Sequence, residues 1–144
     1  MGLDGQTKQN YPYQGGTGGK PFDDFHPDRK VISHIRIRAD KTIDAIQVVY
    51  KDDPEPTQLH GGDGGDAYEF YLEEGETIVE ITGRADKYID QLVFVVSTGR
   101  SSPTYGGDGG QPFSWTAEDG YHFRHFTGRS DKRVDGLQPF FEAD

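Results

Sequence analysis

The sequence predicts an all-β domain made from one unit used three times, and three observations carry that prediction. The pattern GGxGG occurs at 15–19, 61–65 and 106–110, at spacings of 46 and 45 residues. A second pattern, [AS]DKx[IV]D, follows each copy. From the last glycine of the first pattern to the last aspartate of the second is 25 residues every time (Gly19 to Asp44, Gly65 to Asp90, Gly110 to Asp135). The segments between them are short, rich in β-branched and aromatic residues, and punctuated by Gly, Pro and Asp, with no helical apolar stripe.

Taken in chain order, the opening MGLDGQTKQNYPYQ has neither a basic start nor an apolar run, so it does not read as a secretory signal. Met1-Gly2 lacks the Ser or Thr of a myristoylation site, since Gln6 stands there. The protein is therefore expected to be soluble, and either cytoplasmic, exported by a non-classical route, or stripped of a signal. Tyr11 to Gln14 is expected to supply a strand to the third unit, which is shorter and ends at Asp144. Unit one (about 15–60) contains VISHIRIRA and RADKTIDAI. Unit two (61–105) contains ETIVEITGRA and DQLVFVVST. Unit three (106–144) contains YHFRHFTGRS and DKRVDGL. All belong to a single domain spanning 1–144. KDDPEPTQLH (51–60) and TGRSSPTY (98–105) read as linkers joining adjacent sheets.

Apolar positions recur in register through the units. Ile32, Ile78 and Phe123 correspond, as do Ile35, Ile81 and Phe126. So do Ile43, Ile89 and Val134, and Ile46, Leu92 and Leu137. About 45 residues suits four short strands. One such sheet cannot bury its apolar face alone, whereas three around a common axis can share a core. Trp115 is expected to fill that core, and Pro139 to mark the last strand as an edge.

Composition bounds the partners. Net charge is −10, hydrophobic content 32% and mean hydropathy −0.80, which lean toward disorder. Eight Tyr and nine Phe argue the other way, because they can build a core. The acidic balance disfavours nucleic acid and anionic membranes. No cysteine is present, so disulfides and thiolate metal sites are excluded. No apolar run approaches the roughly 20 residues of a membrane span, so no insertion is expected.

Two loops per unit carry candidate chemistry. GGDGGDAYE (61–69) matches the nonapeptide of calcium-binding β-helices, but no copy is followed by another nine residues on. Asp66 of that match is Lys20 in the first unit and Gln111 in the third. Asp40, Asp86 and Asp131 pair with the later aspartates as in glycoside hydrolysis, yet a lysine intervenes each time and a triplicated active site would be odd. His122 and His125 are expected on opposite strand faces, which argues against a shared metal. His26, His34 and His60 stand alone in the sequence.

What remains is Asp44, Asp90 and Asp135, each after an apolar anchor, beside glycine runs that allow close backbone approach. A carboxylate accepts through two oxygens and, with backbone donors nearby, can hold two hydroxyls of a neutral polyol without metal or nucleophile. The structural alternative is that each Asp caps a turn and each GGxGG is a tight crossover. The protein would then be a non-catalytic interaction or assembly module.

The three GGxGG loops, each followed by a strand and G-[RS]-[AS]-x-x-x-[ILV]-D, resemble the jacalin-related lectins over about residues 11 to 141. The resemblance implies a β-prism I fold, with three four-stranded antiparallel sheets around a pseudo-threefold axis. It also implies binding of mannose- or glucose-type glycans and glycoproteins, with no cofactor, no metal and no catalysis, and assembly as a homodimer or homotetramer. In that family the loop aspartate accepts from O4 and O6, loop amides donate to O6 and the ring oxygen, and the last glycine of a GGxGG donates to O3. Carried over, one site joins Gly65 with Lys41, Thr42 and Asp44. A second joins Gly110 with Lys87, Tyr88 and Asp90. A third joins Gly19 with Lys132, Arg133 and Asp135. The lysines and their following residues would act through backbone amides, and the Tyr88 and Arg133 side chains would reach a second sugar. Members that prefer galactose have a cleaved chain near the first glycine loop; continuity through GGTGG here implies the mannose or glucose type. Two departures stand out. Asp40, Asp86 and Asp131 occupy a position that is often glycine, and Ile37 replaces the glycine found as Gly83 and Gly128.

Overall fold

Strand-forming stretches rich in Ile, Val and aromatics become three long hairpins, with shorter strands flanking each. In chain order the strands are β1 (Thr7–Lys8), β2 (Gln14–Gly15), β3 (Lys20–Asp23), β4 (Ile32–Ala39), β5 (Ile43–Tyr50), β6 (His60–Gly61) and β7 (Asp66–Tyr71). They continue as β8 (Ile78–Ala85), β9 (Ile89–Val96), β10 (Tyr105–Gly106), β11 (Gln111–Thr116), β12 (Tyr121–Ser130) and β13 (Val134–Ala143). The computed structural model describes residues 7–8, 11–29 and 31–144. Met1 to Gln6, on which the signal and myristoylation readings rest, lie outside the described residues. No helix among the described residues is long and apolar enough to cross a membrane.

Three antiparallel sheets result. Their strand orders are β6-β5-β4-β7, then β10-β9-β8-β11, then β13-β12-β3 with β1 and β2 lying along the other side of β13. Each sheet takes its central hairpin from one repeat and its edges from the arms of the next glycine loop. The linkers therefore differ from expectation. Residues 51–60 run from β5 to β6 and residues 98–105 from β9 to β10, and both pairs are neighbours within one sheet. The chain changes sheet instead between β3 and β4, between β7 and β8 and between β11 and β12. Antiparallel neighbours can be joined by a returning loop, and each GGxGG then crosses from one sheet edge to the other over the hairpin tip.

The N-terminal segment completes the third sheet, as expected. Gln14 and Gly15 pair with Leu137 and Gly136, and Thr7 and Lys8 with Glu142 and Phe141. The Tyr11 ring lies 4.5 Å from that of Phe141. Pro139 is not on an edge, because β13 has neighbours on both sides. It falls between the stretches paired by β2 and β1, where a missing N–H costs no ladder bond on that side.

The twelve in-register apolar positions all face one core, none more than 6% exposed. β5, β9 and β13 touch one another around the axis. The third sheet fills its share with Phe123, Phe126 and Phe141 where the first uses mainly isoleucine and valine. Trp115 is buried as expected, and its Nε1–H donates to the Pro12 carbonyl at 2.7 Å. Burying such side chains contributes about 1.5–3 kcal/mol each.

Candidate functional site

The tip of each hairpin carries the same irregularity. Ala39 pairs with Ile43 and Arg38 with Ala45, which leaves Asp44 as an extra residue in β5. Asp90 is extra between Ile89 and Gln91 in β9, and Asp135 between Val134 and Gly136 in β13. A bulge of this kind re-aims a side chain and frees backbone groups from the ladder. The freed carbonyls are used: Asp44, Asp90 and Asp135 accept from the amides of Gly62, Gly107 and Gly16 at 2.9, 2.8 and 2.8 Å. Fully buried Ile43, Ile89 and Val134 anchor the strand one residue earlier. The alternating sequence pattern contains no sign of these bulges.

Each aspartate faces the last glycine of the neighbouring unit's loop, as the family resemblance implies, and not the loop 25 residues before it. The last glycine of each loop takes positive φ, and a Cβ on Gly65 or Gly110 would lie 2.6 Å from the carboxylate of Asp44 or Asp90. Gly19 stands in the same relation to Asp135. The structure thus brings together Gly65 with Asp44, Gly110 with Asp90 and Gly19 with Asp135.

The second glycine of each loop meets a different hairpin. A Cβ on Gly62, Gly107 or Gly16 would lie 2.5, 2.5 or 2.4 Å from the carbonyl oxygen of Lys132, Lys41 or Lys87. Each lysine turn therefore buttresses the next site in a ring, and all three sites share one end of the molecule. The lysine side chains are exposed. Each turn is closed by an amide, from Asp40 to the Thr42 carbonyl at 3.1 Å, Asp86 to Tyr88 at 3.0 Å and Asp131 to Arg133 at 3.0 Å. Asp40, Asp86 and Asp131 thus hold the turn through their backbone while their side chains stay in solvent.

The sites also touch laterally. The Arg133 guanidinium lies over the Tyr88 ring, 4.8 Å from its centroid. The same cation favours the ionised form of Asp44. Burial pushes the carboxyls of Asp44, Asp90 and Asp135 above their ordinary value, and Asp40, Asp86 and Asp131 each add to this at their own site. At the first, Arg133 and a 3.5 Å hydrogen bond from Thr42 oppose the rise. A desolvated carboxylate beside constrained backbone is an acceptor suited to neutral hydroxyls.

Ile37, expected to set the first site apart, acts one layer below it. Gly83 and Gly128 lie under the rings of Phe113 and Phe22. Ile37 is itself buried, and its partner Tyr68 stays 42% exposed beside Tyr105.

The histidines take other places. A bulge at Arg124 sets His122 and His125 opposite Glu142 and Phe140, on the same face rather than on opposite faces. They have separate partners there. His122 meets Asp144 at 2.7 Å and Glu142 at 3.6 Å, while His125 is buried and stacked on Phe140. Burial pushes His125 down to about 4. His60 is buried, stacked on Phe22 at 3.7 Å and paired with Asp24 at 2.8 Å, where it joins two sheets. Among the described residues, no group of three or more His, Asp or Glu side chains is arranged to hold a metal.

The sequence profile of the Jacalin-like lectin domain matches residues 11–138. A search of curated proteins finds no match. Among solved structures, the wild-type Malaysian banana lectin is 27% identical, with a TM-score of 0.81 over 92% of this chain and 96% of that one. A mannose-binding jacalin-related lectin from Ananas comosus is 24% identical at the same TM-score and the same coverage. Artocarpin, solved with mannopentose, is 22% identical, with a TM-score of 0.80 over 94% and 97% of the two chains. With its three sheets, its glycine loops and a profile match over most of its length, the chain belongs to the jacalin-like lectin domain family.

Proposed function

We propose that the protein binds mannose- or glucose-type sugar termini at up to three metal-independent sites on one end of the prism. The observation that carries this reading is the bulged aspartate. In all three sheets it leaves the ladder and faces a positive-φ glycine. A turn cap has no need of a carboxyl held above its ordinary value, whereas a hydroxyl acceptor gains strength from that desolvation. In each site the aspartate accepts two sugar hydroxyls. Amides of the DKx turn (Lys41 and Thr42, Lys87 and Tyr88, Lys132 and Arg133) and of Gly65, Gly110 and Gly19 donate. Tyr88 and Arg133 present a shared wall to a second sugar unit. The mannose binding of the Ananas comosus lectin and the mannopentose with which artocarpin was solved support this reading.

One sugar per site binds weakly, on the order of millimolar or about −4 kcal/mol. A branched glycan that reaches several sites binds more tightly through effective concentration. Calorimetric titration with a branched oligomannose in excess chelator tests the reading. The expected result is heat that survives the chelator and falls stepwise in Asp44→Ala, Asp90→Ala and Asp135→Ala, with each variant folded. Heat that appears only with calcium, or not at all, would refute it; the latter outcome would leave an interaction module.

A further inference from the structure

Beneath each candidate site lies an arginine that no part of the sugar chemistry uses. Arg38 Nε donates to the Gly64 carbonyl at 3.0 Å and its Nη2 to Gly65 at 2.8 Å. Arg84 does the same to Gly109 at 3.1 Å and Gly110 at 2.9 Å. Arg129 does so to Gly18 at 3.0 Å and Gly19 at 2.9 Å. Three independent stretches of chain reproduce one two-pronged contact to within 0.1 Å. Each arginine pairs across the hairpin with the residue that follows the bulged aspartate: Arg38 with Ala45, Arg84 with Gln91, Arg129 with Gly136.

The geometry points to Arg38, Arg84 and Arg129 as positioning residues, which set the direction of the glycine-loop amides at the sugar sites. A trans peptide is planar, with its C=O and N–H pointing in opposite directions. An arginine that holds the carbonyl of the third glycine therefore turns the amide of the fourth glycine away from itself. The second prong fixes the next peptide in the same sense. Glycine loops have the most backbone freedom to lose, and a rigid fork removes it before any ligand arrives. Two carbonyls at this spacing suit a guanidinium, whose donors are coplanar and fixed. A lysine ammonium has no such fork. None of the three arginines contacts the sugar in this scheme; each acts through its loop and, by its charge, favours the ionised aspartate of the same site.

This inference rests on the lectin reading, and its test keeps the two apart. The parent is the full chain with Asp44→Asn and Asp135→Asn, which leaves the Asp90 site alone. Arg84→Gln and Arg84→Lys are made in that parent. Each protein is titrated with methyl α-mannoside while backbone amide NMR shifts and the thermal midpoint are recorded. The expected result is about a tenfold loss of affinity in Arg84→Gln, the scale of losing charge-assisted hydrogen bonds, with partial recovery in Arg84→Lys. The amide shifts of Gly109, Gly110 and Gln111 move, those of the other two loops hold, and the midpoint stays within about 4 °C. Full affinity with unmoved loop amides in Arg84→Gln would overturn the assignment. So would a loss of affinity that accompanies shift changes through all three loops and a large fall in midpoint. If the parent binds no sugar, the lectin reading fails, and movement of the Gly110 and Gln111 amides in Arg84→Gln still decides whether the arginine sets the loop.

Discussion

At the glycine-loop end, three aspartates are raised from their ordinary value, chiefly by burial. At the opposite end, where β7 passes to β8, Glu76 is held down to about 2, chiefly by hydrogen bonds from Arg100 and Thr98. The first group is built threefold, with matching bulges and matching glycine contacts. The second is unique. Glu76 accepts from Thr98 at 2.5 Å, from the Glu73 amide at 2.8 Å and from Arg100, which also donates to the Tyr71 carbonyl. Arg124 likewise has no counterpart in the other units. It fastens the stretch that leaves β3 by donating to the carbonyls of His26, Pro27 and Arg29 while pairing with Glu142 at 2.6 Å. The contrast separates the work of the two ends. One end keeps desolvated carboxylates at a cost in stability, and the other commits Glu76 and Arg124 to internal hydrogen bonds that tie the sheets together.

The largest effect expected from breaking this contrast is at Arg124. Arg124→Ala removes a buried cation and leaves Glu142 and three carbonyls without their donor. Losing one partner of such a pair costs about 3 kcal/mol or more in urea unfolding. Sugar binding per folded molecule should be unchanged, and a loss of binding without a loss of stability would contradict the division.

Next in size is the pair Glu76→Gln and Asp90→Asn, compared across pH. Glu76 has a folded pKa below its unfolded value of 4.5. Its stabilising contribution is therefore present above about 4.5 and is lost as pH falls toward about 2. Glu76→Gln should lower the melting temperature at neutral pH and flatten the acid limb of the stability curve. Asp90 has a folded pKa above 3.8, so the folded state binds its proton first. Stability then falls as pH rises from 3.8 through the raised folded value. Asp90→Asn should leave the melting temperature at neutral pH unchanged or higher while it removes one sugar site. A marked fall would make Asp90 a structural cap.

The smallest effect sharpens the comparison among the three sites. Arg133 favours the ionised forms of Asp44 and Asp135 and is not among the groups acting on Asp90. In Arg133→Gln the first and third sites should fail at a higher pH than in the wild type, and the second should keep its profile. Sugar titrations of single-site proteins across about pH 4 to 6 would read this. An equal shift at all three sites would mean that Arg133 acts through the whole face.

Much of this was legible in the chain itself. The period, the strand class and the apolar register are local, because burying one face of a strand requires apolar residues at fixed spacing. Ile35, Ile81 and Phe126 could therefore be aligned and assigned to the core from sequence alone. The pairing of each glycine loop with the aspartate of the unit before it came from the family resemblance and not from the repeats, whose constant spacing joins each loop to the aspartate of its own unit. The sheet changes were not legible. A linker such as 51–60 has the same composition whether it stays in a sheet or leaves it, and only the partner of β6 decides. Pro139 looked like an edge because a strand's neighbours are not written in its own residues. The bulges at Asp44, Asp90, Asp135 and Arg124 were equally hidden, since an extra residue exists only relative to the strand opposite. The sequence by itself determined which residues are buried and how often the unit recurs, because both follow from side-chain chemistry at regular spacing. Tertiary structure alone decided where the aspartates point and which lysine turn the second glycine of each loop meets, because those depend on the register between segments far apart in the chain.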